Sequence, residues 1–352
     1  MRGINLAIVG ASGLVGLQFL RVLKERNLKI DQLYLLASGA SAGKKLKFNG
    51  KEYTIEELNE ESFEREIDYA FFCASNEVSE KYAPIAVKNG IIVIDNSSHF
   101  RMDEDVPLVV PEVNPHDLKN HKNIIANPNC TTIQAVVVLN PIHQAYKLKR
   151  VIISSYQAVS GAGKEGIIDL VNGISKLTWQ TQRLHDTLTY SNNELNPINL
   201  LSPYHHYELK AMPTYIAGNV IPFIGSIDSD GYSTEELKII NETKKIMKLP
   251  NLAITATAIR VPVINGHSES INIEFENTYD LDDLINILEN APSVKVSENP
   301  TPMKVSGNDE VFVGRIRRDN SSNGLNLFLV ADNVRKGAAT NGVQIMELLM
   351  KG

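Results

Sequence analysis

The chain has 352 residues and a formal net charge of −6, from 35 lysines and arginines against 41 aspartates and glutamates. This length predicts two domains, and an acidic chain without a basic block excludes a nucleic-acid-binding surface. Its apolar runs are too short to cross a bilayer, and no residue cluster predicts a metal site. The two cysteines lie in different settings and do not suggest a disulfide framework. The first strand has no charged leader before it, which predicts a cytoplasmic protein.

The first 130 residues alternate short apolar strands with helical patterns. Such alternation predicts a parallel sheet with helices on its faces. Asn49-Gly50 predicts a tight β-hairpin within residues 46–53. Strands are predicted over 4–9, 33–37, 69–73, 91–94 and 124–126, and helices over 14–26 and 79–89.

A glycine-rich turn joins the first strand to the first helix. Its spacing, Gly10-x-x-Gly13-x-x-Gly16, is not the standard dinucleotide fingerprint, and a purely structural turn also explains it. Glycines there allow a pyrophosphate to approach the helix N-terminus closely. The second strand ends at Ala37-Ser38 without the acidic residue that binds an NAD ribose, which favours NADP. The predicted cofactor contacts in the turn are Gly10, Ala11, Ser12, Gly13, Leu14 and Val15.

Cys130 lies in the turn Asn127-Pro128-Asn129-Cys130, directly before the apolar run 133–142. The unpaired N–H groups and the positive dipole end of a helix stabilise a thiolate, so we expect a lowered thiol pKa and a nucleophile here. The other cysteine, Cys73, follows the apolar run 69–72 and is better explained as a small core residue.

From residue 149 the strands become longer. Strands are predicted over 151–156, 253–263, 268–276, 311–318 and 325–331, and helices over 234–247 and 281–290. A last helix over 336–350 is expected to return to the first domain, and the polar segment 172–212 is predicted to be a long excursion with one or two helices. We therefore predict an α/β protein, with an N-terminal Rossmann-like nucleotide-binding domain over 1–130 plus 333–352. The α+β catalytic and dimerisation domain, with a mostly antiparallel sheet, is predicted over 131–332.

A thiolate and a nicotinamide cofactor in one chain predict chemistry at an acyl carbon through a thioester. Gln157, between a strand and a glycine-rich turn, can orient a carbonyl, although an exposed loop amide explains it equally well. Arg260 and His267 flank the turn of a predicted hairpin and so come near one another, but a histidine beside a turn is more often only solvated. Arg101 follows a strand at the edge that faces the ligand crevice of an open α/β sheet.

The chain resembles the aspartate-β-semialdehyde dehydrogenase family from residue 4 to residue 349. The resemblance rests on motifs that follow one another in the family's order. They are Val9-Gly10-Ala11-Ser12-Gly13-Leu14-Val15-Gly16, Val93-Ile94-Asp95-Asn96-Ser97-Ser98, Val110-Pro111-Glu112-Val113-Asn114, Ile125-Ala126-Asn127-Pro128-Asn129-Cys130, Tyr156-Gln157-Ala158-Val159-Ser160-Gly161, Phe312-Val313-Gly314-Arg315-Ile316-Arg317-Arg318-Asp319 and Asp332-Asn333-Val334-Arg335-Lys336-Gly337-Ala338-Ala339.

The resemblance implies NADPH-dependent reductive dephosphorylation of L-aspartyl 4-phosphate to aspartate semialdehyde and phosphate, in the biosynthesis of lysine, threonine, methionine and diaminopimelate. By family position, Cys130 attacks the acyl phosphate, His267 is the acid/base partner and Gln157 holds the acyl group. The family acts on small molecules as a homodimer or homotetramer.

Further site residues are carried over from the family, position by position. Arg260 and Glu235 are implied to bind the substrate carboxylate and ammonium. Arg101, Asn129 and Lys238 are implied to bind phosphate, with Glu235 and Lys238 on one helix face. The remaining implied cofactor contacts are Ser38, Ser41, Asn96, Ser160, Gly161 and Asn333.

One departure from the family concerns the cofactor. Ala40 stands where many relatives carry an arginine for the 2′-phosphate, so Ser38, Ser41 and Lys44 are left to recognise NADP, and use of NAD stays open. The nearest alternative enzyme is N-acetyl-γ-glutamyl-phosphate reductase, but its substrate lacks a free ammonium, so Glu235 favours aspartyl phosphate. A catalytically silent paralogue with an interaction role is a further alternative, which the retained cysteine and histidine disfavour.

Overall fold

The computed structural model describes residues 3–190 and 207–351. For residues 178–190 it describes the backbone only. In chain order, the N-terminal elements are β1 (Ile4–Val9), α1 (Leu14–Glu25), β2 (Ile30–Ala37), β3 (Lys45–Phe48), β4 (Lys51–Thr54), β5 (Glu56–Glu57), β6 (Tyr69–Phe72), α2 (Asn76–Lys88), β7 (Ile92–Asp95) and β8 (Ile124–Ala126), with 3₁₀ turns at Glu60–Phe63 and Pro115–Asn120.

The first sheet has the order β5-β2-β1-β6-β7-β8, and every neighbouring pair is parallel. Its central strand β1 is buried along its whole length, as expected for a strand covered by helices on both faces. The predicted parallel sheet is confirmed. Helix α2 begins three residues earlier than predicted, because the Ser75 hydroxyl accepts a bond from the Val78 N–H and so caps the helix at that point.

The predicted hairpin within residues 46–53 is confirmed as β3 and β4. Asn49 and Gly50 have φ values of 49° and 78°. Positive φ at both central residues is the requirement of a type I′ turn, which asparagine and glycine meet at low cost.

The second half contains the longer strands. Its elements are α3 (Cys130–Tyr146), β9 (Leu148–Gln157), α4 (Gly163–Tyr190), α5 (Thr234–Met247), β10 (Ala253–Arg260), β11 (His267–Phe275), α6 (Leu281–Glu289), β12 (Val294–Val296), α7 (Pro302–Val305), β13 (Val311–Asp319), β14 (Gly324–Ala331) and α8 (Thr340–Leu349), with a 3₁₀ turn at Val159–Ala162 and a π-helical turn at Arg335–Ala339.

The second sheet has the order β10-β9-β11-β14-β13-β12. Pairing is antiparallel across the middle, from β9 to β13, and parallel at both outer pairs, so the sheet is mixed. The predicted hairpin between Arg260 and His267 is wrong, because β9 lies between β10 and β11. The connection that contains Asn265 and Gly266 crosses over β9 instead of joining two paired strands.

Helix α3 is the centre of the second core. Its residues from Thr131 to Leu139 are all buried, and they pack with the second sheet, α5 and α6 in one apolar cluster. A helix that is apolar on nearly all sides has to be enclosed, which explains why periodicity marked it only as an apolar run.

The C-terminal segment returns to the first core, as predicted. Val343, Ile345 and Met346 of α8 pack with residues of β1 and α1. The predicted continuous helix over 336–350 is instead a π-helical turn followed by α8. The Gly337 N–H donates to the Asp332 carbonyl and the Ala339 N–H to the Val334 carbonyl, both across five residues.

The excursion predicted over 172–212 begins inside α4, which continues to Tyr190. Residues 191–206 of that prediction lie outside the described residues. Where the chain is described again, the Asp169 carboxylate of α4 accepts N–H bonds from residues 210, 211 and 212. Across the described ranges, no helix is long and apolar enough to span a membrane.

Candidate active site

The two sheets flank a cleft made of two adjoining cavities. One, of about 720 Å³, starts at the β1–α1 turn, and the other, of about 330 Å³, surrounds Cys130. Val15, Ser160 and Gly161 line both cavities, so the two adjoin. The Cys130 cavity is also lined by predicted site residues of both halves: Asn96, Arg101, Asn129, Gln157, Glu235, Lys238, Arg260 and Asn333.

The β1–α1 turn has the geometry that a pyrophosphate requires. Gly10 has φ of 87°, and a Cβ there would lie 2.5 Å from the Cys73 carbonyl oxygen. Within the described residues, no side chain caps α1, whose N-cap is Gly13 and whose first turn carries no acidic residue. Its first N–H groups therefore remain available to an anionic ligand, and these residues fit the pyrophosphate of a dinucleotide.

Two residues of the segment after β2 lie beside the β1–α1 turn in the same cavity. Ser41 and Lys44 line it, and the Ser12 hydroxyl donates to the Ser41 hydroxyl oxygen at 3.0 Å. Ser38 and Ala40 are exposed and lie outside the lining. Lys164, which sequence reasoning missed, reaches from α4 and donates to the Ser12 carbonyl.

Cys130 is the first residue of α3 and is partly buried. Burial and the nearby Glu235 carboxylate raise the pKa of its thiol to about 11, although Arg101 and Arg260 act in the opposite direction. The predicted lowering of this pKa is therefore wrong. The helix N–H groups at this end are already bonded, because Asn129 Oδ1 accepts from the N–H groups of Thr131 and Thr132.

The Glu235 carboxylate, beside the Cys130 thiol, accepts hydrogen bonds from three side chains. Its Oε1 accepts from Asn129 Nδ2 at 2.8 Å, from Gln157 Nε2 at 3.1 Å and from the Thr131 hydroxyl at 3.4 Å. Lys238 Nζ lies 3.4 Å from its other oxygen, which confirms that these two residues share a helix face. Burial opposes the charge, but Lys238 and these donors hold the pKa of the Glu235 carboxyl below its usual value.

Gln157, Arg260 and His267 meet at one end of the second sheet. Arg260 lies opposite Gln157 in the β10–β9 register, and His267 begins β11 on the other side of β9. A Cβ on Gly161 would lie 2.8 Å from Arg260 Nη1 and 3.1 Å from His267 Nε2. The predicted proximity of Arg260 and His267 is thus correct although the predicted hairpin is not.

His267 is fully buried, and its tautomer follows from its contacts. Its Nδ1 accepts the Ala158 N–H at 3.0 Å, so the neutral ring carries its proton on Nε2. Burial and the charge of Arg260 lower the pKa of His267 to about 3. Within the part of the chain that the structure describes, Nε2 has no hydrogen-bond partner. A neutral Nε2–H beside Gly161 is a donor available to a ligand oxygen.

Arg101 and Asn129 are held together by Glu242, a residue that sequence reasoning missed. Glu242 Oε1 accepts from Arg101 Nη1 at 3.0 Å, and Oε2 accepts from the Asn129 backbone N–H at 2.6 Å. Glu242 follows Glu235 and Lys238 at the helical spacing of seven and four residues, and this shared face was the available signal.

The remaining predicted cofactor residues line the Cys130 cavity. Asn333 Nδ2 donates to the Ser160 hydroxyl at 2.9 Å, and Asn333 Oδ1 accepts the Gly266 N–H at the same distance. Asn96 Oδ1 accepts from Asn127 Nδ2 at 2.7 Å. The Asn333–Ser160 bond joins the 3₁₀ turn after β9 to the segment that precedes the π-helical turn, and the Asn96–Asn127 bond joins the segments after β7 and β8.

Two further features define the cysteine environment. Gly337 of the π-helical turn packs on Cys130, since a Cβ there would lie 2.7 Å from Cys130 Cβ. Cys73 borders the cofactor cavity, where its thiol donates to the Val9 carbonyl at 3.1 Å and burial raises its pKa. A protonated, hydrogen-bonded thiol is a poor nucleophile, in agreement with the structural role predicted for Cys73.

Comparison with known proteins gives the family. A model described as "Semialdehyde dehydrogenase, NAD binding domain" matches residues 5–121, and one described as "Semialdehyde dehydrogenase, dimerisation domain" matches residues 139–336. An aspartate-semialdehyde dehydrogenase of Aquifex aeolicus is 48% identical over 358 residues, covering 99% of this chain and 98% of the relative. One of Bacillus subtilis is 47% identical over 360 residues with the same coverage.

Solved structures agree with the sequence relatives. The structure of aspartate semialdehyde dehydrogenase II from Vibrio cholerae, described as complexed with ASA, is similar with a TM-score of 0.87 and 41% identity. The match covers 100% of this chain and 99% of that one. Full-length similarity of this degree, in sequence and in fold, means that the chain belongs to the aspartate-semialdehyde dehydrogenase family.

Proposed function

We propose that this protein catalyses the NADPH-dependent reductive dephosphorylation of L-aspartyl 4-phosphate to L-aspartate 4-semialdehyde and phosphate. The single observation that carries the proposal is the position of Cys130. Its cavity adjoins the one at the β1–α1 turn, and Arg101, Lys238, Arg260 and the buried Glu235 carboxylate line the cavity around the thiol. A dinucleotide, a phosphate and an amino acid are the three ligands that this arrangement suits.

The covalent step is assigned to the sulfur. The Cys130 thiolate forms a bond to the acyl carbon, and the carbon–oxygen bond to phosphate breaks, so that phosphate leaves. A nicotinamide cofactor, when bound, would supply the hydride needed to reduce the resulting thioester. The carbon–sulfur bond then breaks, which releases the aldehyde and returns the thiolate.

The oxygen of the acyl group needs a donor while it carries charge. The Nε2–H of His267 meets that need, because Ala158 fixes the proton on this nitrogen and the nitrogen has no other partner among the described residues. His267 is therefore proposed as a hydrogen-bond donor to the acyl oxygen, with Gln157 beside it to orient the acyl group. A neutral ring with Nδ1 already bonded is less suited to take the proton of the thiol.

The charged side chains are assigned to the charged groups of the substrate. Arg260 is proposed to bind the α-carboxylate and Glu235 the ammonium, since a guanidinium binds a carboxylate through paired hydrogen bonds. Arg101, Asn129 and Lys238 are proposed to bind phosphate. Their grouping around Cys130 supports this division, because the phosphate must lie next to the carbon that the sulfur attacks.

We propose NADP as the preferred cofactor. Ser41 and Lys44 line the cavity at the β1–α1 turn and supply a hydroxyl and a positive charge for the 2′-phosphate, in the absence of the family arginine at Ala40. We further propose that residues 1–130 with 333–352 bind the cofactor and that 131–332 form the catalytic and dimerisation domain of a cytoplasmic homodimer or homotetramer. One apolar cluster lies within residues 4–125 and 339–346, and another lies mostly within 133–331, which supports this division.

The test is the reverse reaction. Purified protein with aspartate semialdehyde, phosphate and NADP is expected to form NADPH, and a Cys130→Ala variant is expected to form none. Activity of that variant at the wild-type rate would overturn the thioester mechanism. Activity with the N-acetylated glutamate analogue alone would move the assignment to the acetylglutamyl-phosphate reductase.

The cofactor preference is tested in the same assay. Wild type is expected to have the higher kcat/KM with NADP, and Lys44→Ala is expected to lower that value for NADP but not for NAD. An equal effect on both cofactors would contradict recognition of the 2′-phosphate by Lys44.

A further inference from the structure

Glu242 connects three parts of the chain at the site proposed for phosphate. It lies on α5 with 1% of its surface exposed. One carboxylate oxygen accepts from Arg101, in the segment after β7, and the other accepts from the backbone N–H of Asn129, the residue before the nucleophile. One side chain therefore fixes the distance between the guanidinium and the turn that carries Cys130.

Both partners of Glu242 are donors, and this restricts the residue type. A carboxylate has an acceptor oxygen for each of them, whereas an amide would direct an N–H group at one of the two donors. Glutamate in its ionised form satisfies Arg101 and Asn129 together. Glutamine, although of equal size, cannot.

Arg101 is held in a way that leaves a donor for a ligand. Its Nη1 is bound to Glu242, and its Nη2 donates to the Asn96 carbonyl at 2.8 Å. Its Nε is buried without a hydrogen-bond partner in the described ranges. From the same helix, Lys245 Nζ donates to the Arg101 carbonyl at 2.8 Å, so α5 holds both the backbone and the side chain of this arginine.

We propose that Glu242 is the positioning residue of the phosphate site, which sets Arg101 and the Asn129 turn at the spacing that phosphate and Cys130 require. The inference rests on the proposed function, because it takes Arg101 as a phosphate ligand. An error of about 1 Å in the position of such a group can lower a rate by about a hundredfold. A change at Glu242 should therefore lower kcat/KM for phosphate.

Glu236, six residues before Glu242 on the same helix, provides a matched control. It is also a buried carboxylate of α5 and accepts from two donors, the backbone N–H groups of Ser233 and Ala258. Neither partner belongs to the proposed phosphate site. Glu236→Gln therefore creates the same conflict between donors in the same helix, with a structural cost alone.

The experiment compares Glu242→Gln, Glu236→Gln and wild type in the NADP-reducing direction. We expect Glu242→Gln to lower kcat/KM for phosphate by about tenfold or more, with KM for aspartate semialdehyde within about twofold of wild type. Glu236→Gln is expected to lower the melting temperature without a selective change in phosphate kinetics. Equal effects of the two variants on phosphate would overturn the proposal, since they would reflect helix damage alone.

Two additional variants keep the outcome decisive. If Glu242→Gln does not fold, Glu242→Asp retains the charge but is one methylene too short to reach both partners, and an unchanged KM for phosphate in it would overturn the proposal. Arg101→Gln separates the two levels of inference. If Arg101→Gln leaves phosphate kinetics unchanged, the proposed phosphate site fails; if it impairs them and the Glu242 variants do not, the positioning role fails.

Discussion

At the scale of single residues, burial affects the pKa of the Cys130 thiol more than the helix terminus does. The sequence places Cys130 at the start of a helix, where the dipole favours a thiolate. In the structure, burial and the carboxylate of Glu235 dominate and raise the pKa of the thiol to about 11. A thiol with this pKa is almost entirely protonated at neutral pH, so the proposed mechanism requires the pKa of Cys130 to fall when the substrate binds.

The negative charge of Glu235 is expected to lower the reactivity of the Cys130 thiol. Glu235→Gln removes the negative charge beside the sulfur, so the pKa of Cys130 should fall, and each unit of decrease raises the thiolate fraction at pH 8 by about tenfold. The measurement is the rate of iodoacetamide labelling at Cys130, resolved from Cys73 by peptide mass spectrometry. Glu236→Gln is the control and should label at the wild-type rate. Slower labelling of Glu235→Gln than of wild type would contradict the electrostatic cause.

His267 makes a second prediction, for stability against pH. Its pKa is about 3 in the folded protein, whereas a histidine in an unfolded chain titrates near 6.5. Both states are neutral above that value, and as pH falls below it the unfolded state binds a proton that the folded state does not. The free energy of unfolding of wild type should therefore fall relative to that of His267→Gln by about 2 kcal/mol between pH 7 and pH 5. Urea unfolding of both proteins at the two pH values is the check, and a difference that does not change with pH would refute the depressed pKa.

At the scale of elements, the C-terminal π-helical turn places Gly337 against Cys130. The turn is fixed by Lys336, which is fully buried and donates to both oxygens of Glu112 at 2.8 and 2.7 Å and to Gln344 Oε1 at 2.8 Å. Five-residue spacing of backbone bonds widens the chain here and lets Gly337 pack on Cys130. Sequence periodicity does not distinguish such a turn from the first turn of an α-helix, so the predicted helix 336–350 missed it.

The Lys336–Glu112 pair gives a prediction for stability. Lys336→Met leaves the Glu112 carboxylate buried without its counter-ion, which should lower the free energy of unfolding by about 3–5 kcal/mol. The double variant Lys336→Met/Glu112→Gln removes both charges and should recover a large part of that loss. Denaturant unfolding of the single and double variants measures the difference. A double variant less stable than Lys336→Met would show that the pair itself is not the cause.

At the scale of the whole molecule, the fold is more predictable than the contacts within the site. Every strand predicted in the first half exists within a few residues, because alternation of strands with helices is a strong signal. The pairing of β10 and β11 with β9 was missed, since a turn sequence such as Asn265-Gly266 does not reveal that another strand lies between. Glu242 was missed for a related reason: its partners, Arg101 and Asn129, are more than a hundred residues away along the chain.

An exposed apolar face on α4 predicts where two copies of the chain meet. The matched dimerisation domain includes α4, where Ile168 and Val171 are 45% and 47% exposed one helical turn apart. We expect a second copy of the chain to cover this face, so Ile168→Lys should shift the protein toward monomer. The control is Met303→Lys, which adds the same charge at a residue that is 93% exposed on α7. Light scattering coupled to size exclusion gives the mass, and an unchanged oligomer in Ile168→Lys would place the interface elsewhere.

In the proposed mechanism Cys130 carries the acyl group, and this group can be trapped. Enzyme mixed with aspartate semialdehyde and NADP, without phosphate, should reduce about one NADP per active site and then stop, because no phosphate is present to release the thioester. Mass spectrometry of the quenched enzyme should find the aspartyl group on the peptide that contains Cys130, and Cys130→Ala should show neither the adduct nor the burst of NADPH. A burst of equal size in Cys130→Ala, or an adduct confined to Cys73, would contradict the account.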